Sequence, residues 1–505
     1  MTLDVLDVTR LQFAVVTIYH YLFVPLSISL SAITAGLHTA WYRTRDEHWR
    51  RLTLLSGKLL VVTFAVGVVT GLVQEFQFGM AWSDFARFYG DVFGPTLAIE
   101  GMLAFFLEAT FLGLWWFGWD RLPRGAHLAT IWTVAIGTQV SAFVILAANA
   151  FMQNPVAYAY DERTGRAGLT SFTDLLLNEV NLAAYPHTVA GAFMSGGALL
   201  LAIGAWRRWA SRLPLTAEDA RGFGVLARLG AWVTLAGGIA TAVSGDHLGK
   251  VMTAVQPMKM AAAEALYRTT TGAPFSVFAI GGLDGGEPGV RLDVPRVLSV
   301  LATGSPNGTV RGIDDLQAEY VTRFGPGDYV PVVPVAYWSF RLMIGIGMAA
   351  AALAAAYLWS TRKGRLLAHE GRVLPDVPRR QRRAVAVALR ALWLLPVLPA
   401  LATTFGWIFT ETARQPWIAF GLTTVAEGIS PGLTLTEVLV SLGLFAAVYG
   451  VLAVVWVRLV LHLARLPLSS EPVGLGAFSL VDDDPDDDPH AGAPAEREPA
   501  RATVA

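Results

Sequence analysis

Long apolar blocks alternate with short polar loops along this chain, and nine of the blocks are long enough to cross a bilayer, which takes about 20 helical residues. They lie near residues 15–40, 54–73, 96–117, 127–151, 183–205, 223–244, 336–359, 384–409 and 434–461. Gly, Pro and ionisable residues interrupt several of them, as expected of helices facing a packed interior and not lipid. The pattern predicts an all-α integral membrane protein of about nine transmembrane helices.

The loops set the expected orientation. The loop after the first block carries Arg43, Arg45, Arg50 and Arg51, the third Arg121 and Arg124, and the fifth Arg207, Arg208, Arg212 and Arg221. The loop after the seventh is richer still, from Arg362 and Lys363 to Arg382 and Arg383. The alternate loops are much poorer: the second holds Arg87 and the fourth Arg163 and Arg166. By the positive-inside rule the N-terminus is expected outside and the C-terminus in the cytoplasm. Residues 1–244 then carry helices 1–6, and 245–335 form a long external loop between helices 6 and 7. That loop mixes apolar, Gly and Pro residues with charge, the composition of a partly folded surface segment. Residues 336–466 carry helices 7–9, and 467–505 form a cytoplasmic tail. From about Ser479 that tail, with Asp482 to Asp484 and Asp486 to Asp488, has the composition of a disordered segment. The first ten residues contain Asp4 and Asp7 and no basic cluster, so the first block is expected to be a retained helix and not a signal peptide.

Composition agrees with the pattern: 54% of the 505 residues are hydrophobic and 15% charged, against about 25% charged in a soluble protein. Cysteine is absent, which excludes iron–sulfur clusters, thiolate-ligated haem, haem attached through Cys pairs, and disulfides. A net charge of −1 gives no reason to expect a nucleic-acid partner.

Polar side chains inside spans are costly and mark function or a specific partner. His20 lies near the outer end of the first span, and Glu100 near the outer start of the third, with Glu108 about two turns deeper. His187, Met343 and Glu411 lie in the outer parts of the fifth, seventh and eighth spans. Because spans alternate in direction, these distant residues converge at one depth. His and Met hold a six-coordinate haem iron without charge compensation, and a buried carboxylate can serve a ferric centre. Singly, each has a plainer reading: a packing histidine, a core methionine, a proton-relay carboxylate. Only His20 and His187 lie well inside spans, since His38 and His127 sit at span ends. That count is too low for a haem–copper oxidase, which needs about six, and gives no paired histidines for a bis-histidine cytochrome b. Two other readings remain: a proton- or ion-coupled transporter, favoured by inverted repeats and a midplane site, neither visible here, and a haem-binding subunit without turnover.

Several stretches resemble subunit I of the cytochrome bd quinol oxidases, in its short quinol-loop form. They include Tyr19-His20, Gly57-Lys58-Leu59, Gln74-Glu75-Phe76-Gln77-Phe78-Gly79, Leu97-Ala98-Ile99-Glu100-Gly101 and Phe105-Phe106-Leu107-Glu108. Others are Asn149, Met152-Gln153-Asn154-Pro155, His187-Thr188-Val189-Ala190, Phe340-Arg341-Leu342-Met343, Gly406-Trp407, and Glu411 with Arg414-Gln415-Pro416-Trp417. The resemblance spans about residues 5–466. It implies a low-spin haem b held by His187 and Met343, with Arg341 nearby as a propionate or field-tuning partner. It implies a high-spin haem b and a haem d with His20 and Glu411 as ligands, Glu100 beside haem d, and Trp407 and Arg414 packed around the cluster. Lys259 and Glu264 correspond to quinol-binding residues, though a Lys and a Glu five apart in a loop are often only solvated charge. Glu108 and Ser141 correspond to a proton path from the cytoplasm. The implied enzyme oxidises ubiquinol or menaquinol outside and reduces dioxygen with cytoplasmic protons. It thereby generates proton motive force without pumping, in the bacterial cytoplasmic membrane among its lipids. A second multi-pass subunit is implied, and a small single-helix accessory subunit is allowed.

Overall fold

A computed structural model describes residues 4–211, 213–284, 289–367 and 376–468. The acidic run Asp482–Asp488 lies outside the described residues. The first pass is two helices, α1 (Val5–Tyr21) and α2 (Val24–Thr44). Pro25 cannot donate to the carbonyl of Tyr21, which puts the break at Leu22 and Phe23. The next passes are α3 (Glu47–Met80), then α4 (Ser83–Gly101), which continues through a π-helical stretch, Met102–Glu108, into α5 (Ala109–Phe117). After α6 (Arg124–Gln153) and the short α7 (Phe172–Leu176) come α8 (Glu179–Ala205) and α9 (Ala217–Val255).

The long connection holds α10 (Pro257–Glu264), α11 (Val297–Thr303) and α12 (Ile313–Phe324). It also holds an antiparallel pair of strands, Phe275–Ile280 with Val290–Val294. The connection is folded over these elements and begins after Val255, the end of α9. α9 runs on to Val255, with an Asp246–Lys250 pair one turn apart on its surface, Nζ to Oδ2 2.5 Å.

The remaining passes are α13 (Val333–Thr361), then α14 (Arg379–Ala391) with α15 (Val397–Thr412), and, after the short α16 (Val425–Gly428), α17 (Leu435–Arg465). Eight helical segments among the described residues are long and apolar enough to cross a membrane, α1 and α2 counting as one. The ninth expected span is the α14–α15 segment, divided because Pro396 and Pro399 cannot donate to Leu392 and Leu395. It still runs from one face to the other. Val385 and Leu389 of α14 pack with Trp209 just past α8, while Glu411 and Arg414 at the far end meet α6 and α10.

The two faces are distinct. On one, Arg51 pairs with Glu218 at 2.9 Å, joining two of the Arg-rich loops, and the Leu468 N–H donates to Asp219 at 3.2 Å. The same face buries an aromatic knot in which the Trp115 indole donates to His38 Nδ1 at 3.0 Å and His127 Nε2 donates to the Trp115 carbonyl at 2.7 Å. On the other face Gln12 bonds Gln77 at 2.9 Å, and Ser441 donates to Gln12 at 2.7 Å. The Arg-poor loops and the long connection belong to this second face.

Candidate functional site

An internal chamber of roughly 430 Å³ opens among α1, α3, α4, α6 and α15 near the second face. His20, Glu100, Glu108, Ser141, Trp407, Glu411 and Arg414 all line it. Seven residues singled out from sequence thus share one space. His187, Met343, Arg341, Lys259 and Glu264 are not among its walls. Thr188 is, so α8 turns one residue toward the chamber while its neighbour His187 faces α9, where it bonds Thr241.

The histidines divide into two kinds. His38 and His127 are 0% and 3% exposed and are tied into the aromatic knot. His20 and His187 are half-buried, each with Nδ1 engaged and no hydrogen-bond partner at Nε2 among the described residues. His187 Nδ1 lies 3.1 Å from the Thr241 carbonyl, which can only accept, so this nitrogen carries the proton. His20 Nδ1 lies 3.0 Å from the Thr70 hydroxyl. That hydroxyl also lies 3.0 Å from the carbonyls of Val66 and Gly67, and with its proton on either of them it accepts from His20. Both rings therefore present a bare Nε2 lone pair, the tautomer that a metal-ligating imidazole needs.

Each of the three neutral candidate ligands also faces a glycine on a neighbouring helix. A Cβ at Gly71 would lie 3.1 Å from His20 Cε1, one at Gly245 3.1 Å from His187 Cε1, and one at Gly406 3.1 Å from Met343 Sδ. Any larger residue there would push the side chain aside. The donor set and these cradles fit haem.

The carboxylates are held differently. Glu411 Oε1 accepts from Asn149 at 3.0 Å and Oε2 from Arg414, whose Nε also donates to the Trp417 carbonyl at 3.3 Å. Ser141 donates to Glu100 at 3.3 Å. Glu108 is 4% exposed, and its Oε1 meets no donor among the described residues. Its Cγ packs at Gly137, one turn of α6 from Ser141. In a straight α-helix residues eight apart point about 80° apart. The wider turns of Met102–Glu108 reduce that offset, and Glu100 and Glu108 both reach the chamber.

Arg341, expected beside a haem, turns its guanidinium to the long connection. Its Nη2 pairs with Glu264 Oε2 at 2.6 Å, its Nε bonds the Ser276 carbonyl at 2.9 Å, and its Nη1 bonds the Ala263 carbonyl. The guanidinium also sits 4.0 Å over the Tyr337 ring. Burial raises the Glu264 carboxyl above its ordinary range, with Arg341 pulling the other way. Lys259 is 5% exposed and donates to Gln153 Oε1 at 2.7 Å. Burial pushes its ammonium down to about 7, opposed by Glu411 and assisted by Arg414. Neither residue is solvated loop charge.

Sequence reasoning did not single out Thr70, Glu75, Thr241 or Gln153, nor give Asn149 a role. Glu75 lines the chamber beside Gln74. Glu75, Asn149 and Gln153 lay inside the quoted motifs, which was the available signal. Thr70 and Thr241 act only through a histidine 50 or 54 residues away, which no local pattern reveals.

Imidazole, thioether and carboxylate side chains gathered between spans at one face define a membrane redox protein that holds its cofactors between helices. The sequence profile for cytochrome bd terminal oxidase subunit I matches residues 8–467, and the chain belongs to that family. It is the bd-type quinol oxidase subunit, a multi-pass protein of the bacterial inner membrane. It is 38% identical over 455 residues to cytochrome bd ubiquinol oxidase subunit 1 of Bacillus subtilis, covering 90% of this chain and 92% of that one. It is 33% identical over 524 residues to cytochrome bd-II ubiquinol oxidase subunit 1 of Escherichia coli, covering 92% and 97%. The solved bd oxidase from Geobacillus thermodenitrificans superposes with a TM-score of 0.78 at 27% identity, covering 91% of this chain and 98% of that one.

Proposed function

We propose that this chain is the haem-bearing catalytic subunit of a terminal quinol:dioxygen oxidoreductase, with the Arg-poor face outside. The observation that carries the reading is the pair of half-buried histidines with Nδ1 tied and Nε2 free, each opposite a glycine. His187 and Met343 hold a low-spin haem b between α8 and α13. His20 and Glu411 are ligands in the chamber for a high-spin haem b and a haem d, with Glu100 beside haem d. When bound, these haems supply one-electron relay and dioxygen-reducing chemistry. Asn149 and Arg414 orient the Glu411 carboxylate.

Quinol docks at the long connection beside Lys259 and Glu264, and each quinol oxidised leaves two electrons in the protein and two protons outside. Reduction of one dioxygen to two waters uses the electrons of two quinols and four protons drawn from the cytoplasm. Glu108 and Ser141 serve that proton path, because bare hydrocarbon does not carry a proton. Electrons from outside and protons from inside meet in the chamber, so charge crosses the membrane without a pump. A second multi-pass subunit completes the complex. Substituting His187 by Ala and, separately, Met343 by Leu tests the core of this reading. Each is expected to abolish the low-spin haem band and keep the other haem absorbance. An unchanged low-spin band in either variant would sink the ligand assignment.

A further inference from the structure

We propose that Gln153 is a positioning residue for quinol oxidation: from the last turn of α6 it holds the Lys259 head group at the junction between the long connection and the Glu411 side of the chamber. The inference rests on the reading that Lys259 belongs to the quinol site. Gln153 is 3% exposed, and its Oε1 accepts from Lys259 Nζ at 2.7 Å. Four residues earlier on the same face of α6, Asn149 donates to Glu411 at 3.0 Å. One helical turn thus grips both the chamber carboxylate and the inner end of α10.

The surroundings make the Gln153 contact decisive. A lysine ammonium has three donors, yet no ion-pair partner of Lys259 is recorded among the described residues. Its other neighbours are few. The Phe409 ring centroid lies 5.8 Å away. Gln256, Arg414 and, from α12 and the loop after it, Tyr320 and Tyr329 share a small pocket with it. On α13, Arg341 is already committed to Glu264 and to two carbonyls. On α9, Asp246 and Lys250 pair with each other at 2.5 Å. Of the two charges that act on Lys259, Glu411 favours its ammonium and Arg414 opposes it, and neither forms an ion pair with it within bonding range. The Gln153 carbonyl oxygen is therefore what fixes where the head group points. A charge-assisted hydrogen bond of this kind is directional, so a small displacement of the acceptor moves the donor with it.

The test uses the purified complex and a short-chain quinol, with oxygen consumption as the readout. Gln153→Leu removes the acceptor at similar volume and is expected to raise the quinol KM about tenfold, the scale of one lost charged hydrogen bond. Haem absorbance and turnover with a soluble one-electron donor are expected to stay at wild-type values. Gln153→Glu keeps an acceptor oxygen and is expected to hold the quinol KM within about twofold, a rescue that a merely structural role would not give. An unchanged quinol KM in Gln153→Leu overturns the proposal. So does an equal loss in both variants accompanied by loss of haem absorbance, which would make Gln153 a packing residue. A wild-type complex inert toward quinol would overturn the functional reading itself, before any variant is compared.

Discussion

The Glu264–Arg341 pair is the main polar fastening between the long connection and the spans, so removing Glu264 has a calculable effect. Side-chain exposure is 7% for Arg341 and 2% for Glu264, and the two atoms are 2.6 Å apart. Glu264 also accepts from the Ser276 N–H at 3.3 Å, tying the first strand of the connection to the same carboxylate. Glu264→Ala leaves the guanidinium buried with only the Ala263 and Ser276 carbonyls as acceptors. Breaking one side of a buried ion pair costs about 3–5 kcal/mol, and each 1.4 kcal/mol is a factor of ten in an opening equilibrium. Amide hydrogen exchange around Ser276 and across α10 is therefore expected to accelerate by roughly a hundredfold to a few thousandfold. Exchange in α6 and α8 is expected to stay as it was. Glu264→Gln keeps a neutral acceptor and is expected to lose about a third of that protection, on a logarithmic scale. Unchanged exchange in Glu264→Ala would refute the fastening role and leave the pair as incidental contact.

Three further outcomes are expected. Glu108→Gln keeps the shape of the side chain and removes its proton exchange, so oxygen reduction slows by at least about tenfold while all haem absorbance stays; loss of a haem band would contradict the proton-path role. Gly406→Val drives a methyl group into Met343, whose Sδ lies 3.1 Å from where the first added carbon would sit, and should weaken the low-spin haem signal without unfolding α15; an unaltered signal would count against Met343 as a ligand. Lys259 gives a pH effect: below about 7 its ammonium is buried at a cost, and between 7 and its ordinary 10.5 the docked segment has shed a proton that an undocked one keeps. Docking of α10 should therefore strengthen as pH rises across that window, read as slower amide exchange beyond the intrinsic trend, and Lys259→Met should flatten the dependence.

Much of this architecture is legible in the sequence because bilayer crossing imposes a length on each apolar block. That constraint acts residue by residue, without tertiary knowledge. The convergence of His20, Glu100 and Glu411 follows once the spans are given alternating directions, and the chamber gathers them. What the sequence hides is pairwise. Pro396 and Pro399 are visible, but a proline alone does not say whether a span kinks or divides. The extension of α9 past Ser244 runs through Asp246, His247 and Lys250, which hydropathy scores only as polar. Arg341 stands two residues from Met343 in sequence, which suggests a haem partner. Its actual contacts are 65 to 78 residues away in the connection. The separation of His20 and His187 from His38 and His127 was approached through depth. In the structure it shows as a difference in burial and in which ring nitrogen carries the proton: His38 Nδ1 accepts from the Trp115 indole and His127 Nε2 donates to the Trp115 carbonyl, whereas His187 Nδ1 donates to the Thr241 carbonyl.

The most direct test of the central claim is an anaerobic visible spectrum of the purified complex, recorded before and after adding a short-chain quinol and again after admitting air. Reduced haem bands should grow with quinol, including a low-spin component that His187→Ala lacks, and should collapse as dioxygen is consumed. A colourless protein, or haem bands that quinol leaves oxidised, would contradict the account.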